Sequence, residues 1–472
     1  MRKIIGVTIG PIVKTILSAN DTGQLWGSSY IFSYLMKTLI KKFDSSEIMD
    51  EQILPAKLDE NYQIKRVGIY PDRLIFTNNT CDGRLLKEKI DKNIDEVVLD
   101  IATKFSDNNT KKIFKFLKDY FQINYAIINE NAVENIIIDM NEILDSLELD
   151  YRVLPKEKIN YLMKELSNEV VKKGFLAADA NILNEEIQST EYIAKIHDSK
   201  SKYYAIVQSD GDNIGNIIKK IGKDLERLKV FSNSLNEYII KAIKVLDDYK
   251  AYTLYAGGDD LLFFAPLKSR DMKKELTIYD LLDNLNKVFK ETMKKEFPEE
   301  EVSMSFGLSI TYHKYPLYEG LSLAQGLLFG DAKHFEFNNL KKNAIATQIV
   351  KHSGQSSKVI LNQSSETYRT FKNLLLETQN DRNNKAEIKS IKNSFREGNV
   401  VLKTLVDQKR PIKSYFKNNY NKDVHIKFED YINNISSLIN TYREEKGKFD
   451  LSEIYNVLEI KDFISKGGNN EI

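Results

Sequence analysis

Hydrophobic positions along the chain follow two alternating patterns, and the alternation occurs twice. Residues 3–9 (KIIGVTI) form a short apolar run, the pattern of a buried strand. Residues 26–42 then place their apolar side chains at helical spacing. Two brief apolar runs, Val67–Tyr70 and Arg73–Thr77, flank Pro71-Asp72 and predict a hairpin. Residues 84–121 read as helical, and residues 123–128 (INYAII) as a strand. Strand, helix, hairpin, helix, strand is the order of a ferredoxin-like unit.

The same order returns downstream. Residues 203–208 (YYAIVQ) predict a strand and residues 213–246 helices. Residues 252–256 and 261–265 predict a second hairpin, residues 280–296 a helix, and residues 302–312 (VSMSFGLSITY) an alternating strand. A helix over 321–334 and a strand over 344–350 follow. Recurrence of one unit at long spacing predicts a duplicated palm-like domain. The expected fold class is α+β, with two ferredoxin-like domains, a helical insert and a C-terminal helical bundle. The divisions fall at 1–130, 131–200, 201–355 and 356–472, and the terminal KGGNNEI reads as a frayed tail.

Charge and composition narrow the partners. The 69 basic residues nearly cancel the 68 acidic ones, so no bulk field draws the chain to nucleic acid and any RNA contact must be local. Candidate patches are 341–351 (KKNAIATQIVK) and 409–422 (KRPIKSYFKNNYNK), against the alternative of an ordinary solvated surface. The single cysteine, Cys81, excludes an internal disulfide and a cysteine-rich zinc ribbon, and fits a reducing cytoplasm. The N-terminal apolar run is broken by Gly10-Pro11 and Lys14 and lacks a small-residue cleavage site. No stretch approaches the roughly 20 apolar residues that cross a bilayer. A cytoplasmic protein without membrane contact is expected.

The chemistry gathers around residues 254–264 (LYAGGDDLLFF), where Asp259 and Asp260 stand side by side in a glycine turn between apolar runs. Carboxylates in contact repel unless a cation lies between them. Upstream, VQSDGDNIG places Asp210 and Asp212 where a strand runs out into a loop and helix. In a ferredoxin-like sheet the first strand neighbours the hairpin. Asp210, Asp259 and Asp260, with a carbonyl near Gly211, are therefore expected to form an oxygen-rich site. Oxygen ligands without His or Cys select Mg²⁺ or Mn²⁺, ions that bind together with substrate phosphates. Two such ions about 4 Å apart deprotonate an attacking hydroxyl and neutralise a leaving pyrophosphate. Asp212 has two readings, a ligand or a cap for the helix starting near Asn213. A solvated turn is the competing reading of GGDD alone; its pairing with DGDNIG inside a matching strand order favours the metal.

DGDNIG and YAGGDDLLFF resemble the catalytic palm of the large polymerase-cyclase subunit of type III CRISPR effector complexes, a palm related to nucleotide cyclases. The N-terminal IGPIVKTILSANDTGQLWGSSYIFSYL is similar to the start of the first palm in the III-B branch. HKYPLYEGL (313–321), LLFGDAK (327–333) and KNAIATQIVKHSG (342–354) resemble later parts of the second. The resemblance implies an enzyme that couples ATP through 3′–5′ bonds into cyclic oligoadenylate once its complex has bound target RNA. It implies that Asp210 and Asp259 hold Mg²⁺, that Asp260 assists, and that Lys333 reaches the triphosphate, although Lys333 also reads as a solvated helix residue. Gly257 and Gly258 are expected at the nucleotide. Residues 21–29 (DTGQLWGSS) are expected as a loop lining the acceptor pocket, with close approach at Gly23 and Gly27 and a donor at Ser28; Trp26 has the further reading of a core anchor.

The chain also departs from that family. The palm pattern starts at residue 3, so no HD phosphohydrolase domain and no DNase activity are expected. His197-Asp198 is an isolated dipeptide, and the family's zinc-binding cysteines are missing. The first palm has GIYPDRLIFTN, with the single Asp72 in place of a carboxylate pair, so it is expected to bind substrate without activating it. Three further readings stay open. S-adenosylmethionine replaces the second ATP as acceptor, with Asp72 or Asp21 as its acidic neighbour. The chain is a non-catalytic scaffold of an RNA-guided complex. The chain is a diguanylate cyclase, disfavoured because such enzymes pair single palms. Expected partners are other subunits of the complex, guide RNA and target RNA, with the C-terminal bundle docking small subunits.

Overall fold

The computed structural model describes residues 2–57, 67–79, 82–105, 109–149, 153–167, 188–271, 274–337, 339–380, 385–396, 400–419, 429–447 and 450–468. Cys81 and residues 420–422 of the second basic patch lie outside them.

The architecture is mixed α+β around two sheets. The first contains β1 (Lys3–Gly10), β2 (Glu51–Leu54), β3 (Arg73–Asn78) and β4 (Gln122–Asn129), in the order β2-β3-β1-β4 with every pairing antiparallel. Its apolar run is covered on both faces. Ile5, Val7 and Ile9 face a core with α2 (Thr22–Ser45), α3 (Gly83–Phe105) and α4 (Thr110–Tyr120), following α1 (Ile12–Ile16). Ile4 and Ile75 point the other way, onto Ile137 and Met140 of α5 (Ile136–Glu148). Each such fully buried side chain contributes about 1.5–3 kcal/mol. The insert continues with α6 (Lys156–Leu166) and α7 (Thr190–Lys195).

The second sheet holds β5 (Tyr203–Asp212), β6 (Tyr252–Gly257), β7 (Asp260–Pro266), β10 (Ser303–Tyr312), β13 (Ala344–Val350) and β14 (Ser356–Asn362), ordered β14-β13-β10-β5-β7-β6. All pairs are antiparallel except β10 with β13. Small ribbons intervene: β8 (Lys268–Asp271) with β9 (Lys274–Thr277), and β11 (Glu336–Phe337) with β12 (Leu340–Lys341). One face lies on α9 (Leu225–Tyr249) and α10 (Ile278–Glu296), which follow the short α8 (Ile214–Ile221). Tyr204 and Ile206 turn to the opposite face. There they meet α11 (Leu317–Gly326) and share a core with Trp26 and Tyr30 of α2. The two halves are thus packed through α2.

Two strand assignments are corrected. Residues 67–70 do not pair with β3; β3 pairs with β2, a strand too short to show a period. Gly68 instead bridges Tyr255 of the second sheet, and its carbonyl accepts from Ala256 N at 2.9 Å. The second sheet also runs past residue 355, because β14 pairs with β13. Behind it, α12 (Glu366–Asn380), α13 (Lys385–Arg396), α14 (Val400–Asp407), α15 (Lys413–Asn419), α16 (Glu429–Lys446) and α17 (Leu451–Ser465) follow in sequence. No helix among the described residues is long and apolar enough to cross a membrane.

Candidate active site

Strand pairing brings the three acidic residues to one corner. β5 and β7 run antiparallel with Ser209 opposite Leu261, which sets Asp210 beside the start of β7, where Asp260 lies. Gly257 pairs with Asp260, leaving Gly258 and Asp259 as the two turn residues. Gly258 has φ +66°, in the left-handed region that favours glycine. Gly211 plays a different part: a Cβ there would stand 2.6 Å from Asp259 Oδ2 and 3.0 Å from Phe289 Cζ. Its missing side chain lets the turn close on β5.

The electrostatics show what this proximity costs. Burial and the neighbouring Asp210 carboxylate push Asp259 up to about 7. Burial, Asp259 and Asp210 push Asp260 well above the usual range, and its carboxyl is within hydrogen-bonding reach of Asp210. Both are crowded by protein yet remain partly open to solvent.

Lys333, at the end of a π-turn over Leu327–Ala332, is not a solvated helix residue. Its ammonium pairs with the Asp210 carboxylate and with Asp212 Oδ1 at 2.8 Å. It also donates to the carbonyls of Asp210 at 2.9 Å and Gly211 at 2.7 Å. Asp212 is fully buried and does not cap a helix. Its carboxylate accepts from Ser303 Oγ at 2.7 Å, Ser305 Oγ at 2.8 Å and Asn343 N at 2.9 Å. Fixed on every side, Asp212 anchors Lys333.

The acidic corner opens on a cleft of about 200 Å³ between the two halves, smaller than the roughly 300–1,000 Å³ of most small-molecule sites. Asp260, Tyr255 and Gln208 line one wall; Asp72, Ser29 and Phe32 are among those lining the other. Asp72 reaches solvent in the cleft, while crowding by protein pushes its carboxyl upward against the pull of Arg73.

The acceptor-loop expectation is corrected. Residues 22–29 are helical, and Asp21 caps α2 by accepting from Gln24 N at 2.8 Å. Gly23 is buried in the first turn. A Cβ on Gly27 would meet Leu166 Cβ of α6 at 3.2 Å, and Ser28 Oγ donates to the Gln24 carbonyl at 2.6 Å. Trp26 stacks on Tyr30 inside the core. None of Gly23, Gly27 and Ser28 lines the cleft. Ser29, the last residue of the expected stretch, does line it, with Phe32 and Ser33 beyond; Ser29 Oγ donates to the Leu254 carbonyl at 3.2 Å and Ser33 Oγ accepts from Tyr70 N at 3.0 Å. Their i, i+4 spacing was the available signal. Of the basic patches, 341–351 is mostly interior: β13 is buried, and Lys351 is paired with Glu459. His197-Asp198 forms a local turn, with Asp198 accepting from Lys200 N at 2.9 Å.

The donor set at the corner suits a hard dication, since it offers carboxylates and main-chain carbonyls without imidazole or thiol. No three His, Cys, Asp or Glu side chains among the described residues are spaced as a ready-made cage. An incoming ion would find Asp210, Asp259 and the Gly211 carbonyl, with Asp260 adjacent.

Comparisons with known proteins bear on the family and the fold. Residues 203–346 match the family described as Cas10/Cmr2, second palm domain, and residues 4–103 match CRISPR-associated protein Cmr2, N-terminal. The chain is 25% identical over 287 residues to the CRISPR system Cmr subunit Cmr2 of Pyrococcus furiosus; the match covers 55% of this chain and 29% of that protein. A type III-B Cmr-beta structure bound to cognate target RNA contains a chain with a TM-score of 0.56 and 12% identity, matched over 99% of this chain and 83% of that one. A Csm1–Csm4 cassette in complex with cA4 gives 0.55 and 11%, over 99% and 70%. At such identities these structures bear on the fold alone. With both halves matched separately and in chain order, the protein belongs to the Cas10/Cmr2 family, the large subunits of type III CRISPR complexes.

Proposed function

We propose that the chain is a nucleotidyltransferase that joins adenylate units of ATP through 3′–5′ bonds into cyclic oligoadenylate, releasing pyrophosphate when its complex binds target RNA. The observation that carries this reading is the meeting of Asp210, Asp259 and Asp260 at one corner of the second sheet, with Asp260 on the wall of the cleft between the halves. We read both sheets as ferredoxin-like palms, since each holds the order 4-1-3-2 of that unit, the second with two added strands. The second palm then presents the donor ATP and the first the acceptor.

In this mechanism Asp210, Asp259 and the Gly211 carbonyl would hold Mg²⁺ or Mn²⁺. The ion, when bound, supplies positive charge against the polyphosphate. Asp260, adjacent to that ion, accepts the proton of the attacking hydroxyl at its carboxylate. Lys333 turns its ammonium to the phosphates, and Gly258, with nothing within 4 Å of where its Cβ would stand, leaves room for them, whereas Tyr255 fills the space beside Gly257. The first palm offers only Asp72, which orients the acceptor. Guide RNA, target RNA and neighbouring subunits are the proposed partners, in the cytoplasm.

A second reading keeps the donor and changes the acceptor to S-adenosylmethionine. It is favoured by the wall opposite Asp260, where Asp72 stands among apolar Ile12, Val13 and Phe32. That combination suits a cationic amino-acid group on an apolar stem.

Both readings are tested with the assembled complex, labelled ATP, Mg²⁺ and target RNA. Pyrophosphate release is expected, falling to background with Asp259→Ala plus Asp260→Ala while assembly persists. Release that survives the double variant overturns the site. Complete silence of the wild-type complex favours a scaffold. Product masses with and without S-adenosylmethionine separate the two acceptors.

A further inference from the structure

Lys333 sits where a metal ion is expected. Four oxygens surround its ammonium: the Asp210 carboxylate, Asp212 Oδ1, and the carbonyls of Asp210 and Gly211. An ammonium has three protons to donate, so the cradle holds more acceptors than its occupant can satisfy. Such excess of oxygen is the preference of a hard dication, which takes six or more oxygen ligands. Two of the four oxygens, on Asp210 and Gly211, are those assigned to the ion under the proposed function.

We propose that Lys333 is an internal counter-cation that closes the metal cradle, so that a divalent ion enters only together with a polyphosphate. This rests on the metal-site reading above and adds its regulation. A dication and an ammonium cannot occupy the same four oxygens together, because at contact distance they repel and compete for the same lone pairs. Without nucleotide, a departing ammonium leaves buried oxygens for no equivalent anion; its side chain is only 12% exposed. A polyphosphate supplies that anion, and the long flexible stem lets the ammonium follow it.

The surrounding fold is built for a short swing. Lys333 N donates to the Leu328 carbonyl at 2.9 Å, which fixes its backbone at the end of the π-turn. Asp212 stays in place, held by Ser303, Ser305 and Asn343, and gives the ammonium a pivot when it releases Asp210. Asp212 is accordingly a positioning residue for Lys333.

The test measures Mn²⁺ binding to the full chain by electron paramagnetic resonance, with and without a non-hydrolysable ATP analogue. Wild type is expected to bind Mn²⁺ weakly alone and about tenfold or more tightly with the analogue. Lys333→Met is expected to bind Mn²⁺ alone about tenfold more tightly than wild type, with the analogue adding little. Wild-type binding that is equally tight with and without analogue overturns the gate and needs no variant. Unchanged or weaker metal-only binding by a folded Lys333→Met does the same. Absence of Mn²⁺ binding under every condition removes the metal site and the gate together. A gate that passes these tests while the complex releases no pyrophosphate leaves the gate standing and overturns the synthase alone.

Discussion

Gly211, near the end of β5, and Gly215, in the first turn of α8, respond in opposite ways to a methyl group. A Cβ on Gly211 would press on Asp259 and Phe289, whereas nothing lies within 4 Å of the corresponding position on Gly215. Gly211→Ala is expected to cost about 1–3 kcal/mol through overpacking. Gly215→Ala, in the first turn of α8, is expected to gain about 0.5–1 kcal/mol from helix propensity. Thermal melting of the two variants checks both signs; equal shifts in one direction would show that the turn does not rest on β5. At this scale the meeting of the three carboxylates was legible in the sequence, because DGDNIG and GGDD stand at neighbouring strand ends within one predicted strand order. The partner of Lys333 was not, since an ion pair across 123 residues leaves no local pattern.

Among the elements, α10 shows how a helix start carries a pH dependence. Thr277 and Asp280 form a reciprocal capping box, and Asp280 also pairs with Lys372 of α12. Burial raises the Asp280 carboxyl, but the Lys372 charge and the bonds to Lys372 and Thr277 outweigh it, so it titrates below the ordinary 3.8. A carboxylate depressed in the folded state stabilises the fold above its unfolded value and loses that contribution as pH falls through the folded one. Asp280→Asn is therefore expected to cost about 1–2 kcal/mol at pH 7. Its deficit against wild type should shrink below pH 3.8 and vanish at lower pH, as denaturant titrations would read. A deficit that does not depend on pH would assign the loss to packing. Element type followed the hydrophobic period well where segments were long. It failed at β2, four residues long, and at residues 67–70, whose apolar side chains serve a contact with the other sheet.

Across the whole molecule, the cleft depends on how the halves dock. Gly68 joins the hairpin strand β6 by a single bridge, and its α-carbon faces Ser33 and Ser29 of α2, with an added Cβ 3.2 Å from Ser33 Cβ. Gly68→Val is expected to cost about 1–3 kcal/mol and to spread the cleft. Under the proposed function its pyrophosphate release should fall while the acidic corner still binds Mn²⁺ with nucleotide. If release is unchanged, the docking of the halves does not set the reaction geometry. The C-terminal helices attach to the second sheet by charge as well as packing: Lys351 at the end of β13 and Lys392 of α13 both pair with Glu459 of α17. Residues that far apart in sequence meet only once the sheet and helices are assembled.

The sequence by itself determined the two alternations of strand and helix, the apolar faces that build two sheets, and the three carboxylates destined for one corner. These are local facts, since period and turn chemistry act over a few residues. Only the tertiary structure decided that residues 22–29 turn inward as helix, that residues 67–70 reach across to the second sheet, and that Lys333 fills the oxygen cradle. Those outcomes depend on which surfaces are left to cover after the sheets form, and burial is a property of the assembled chain rather than of any segment.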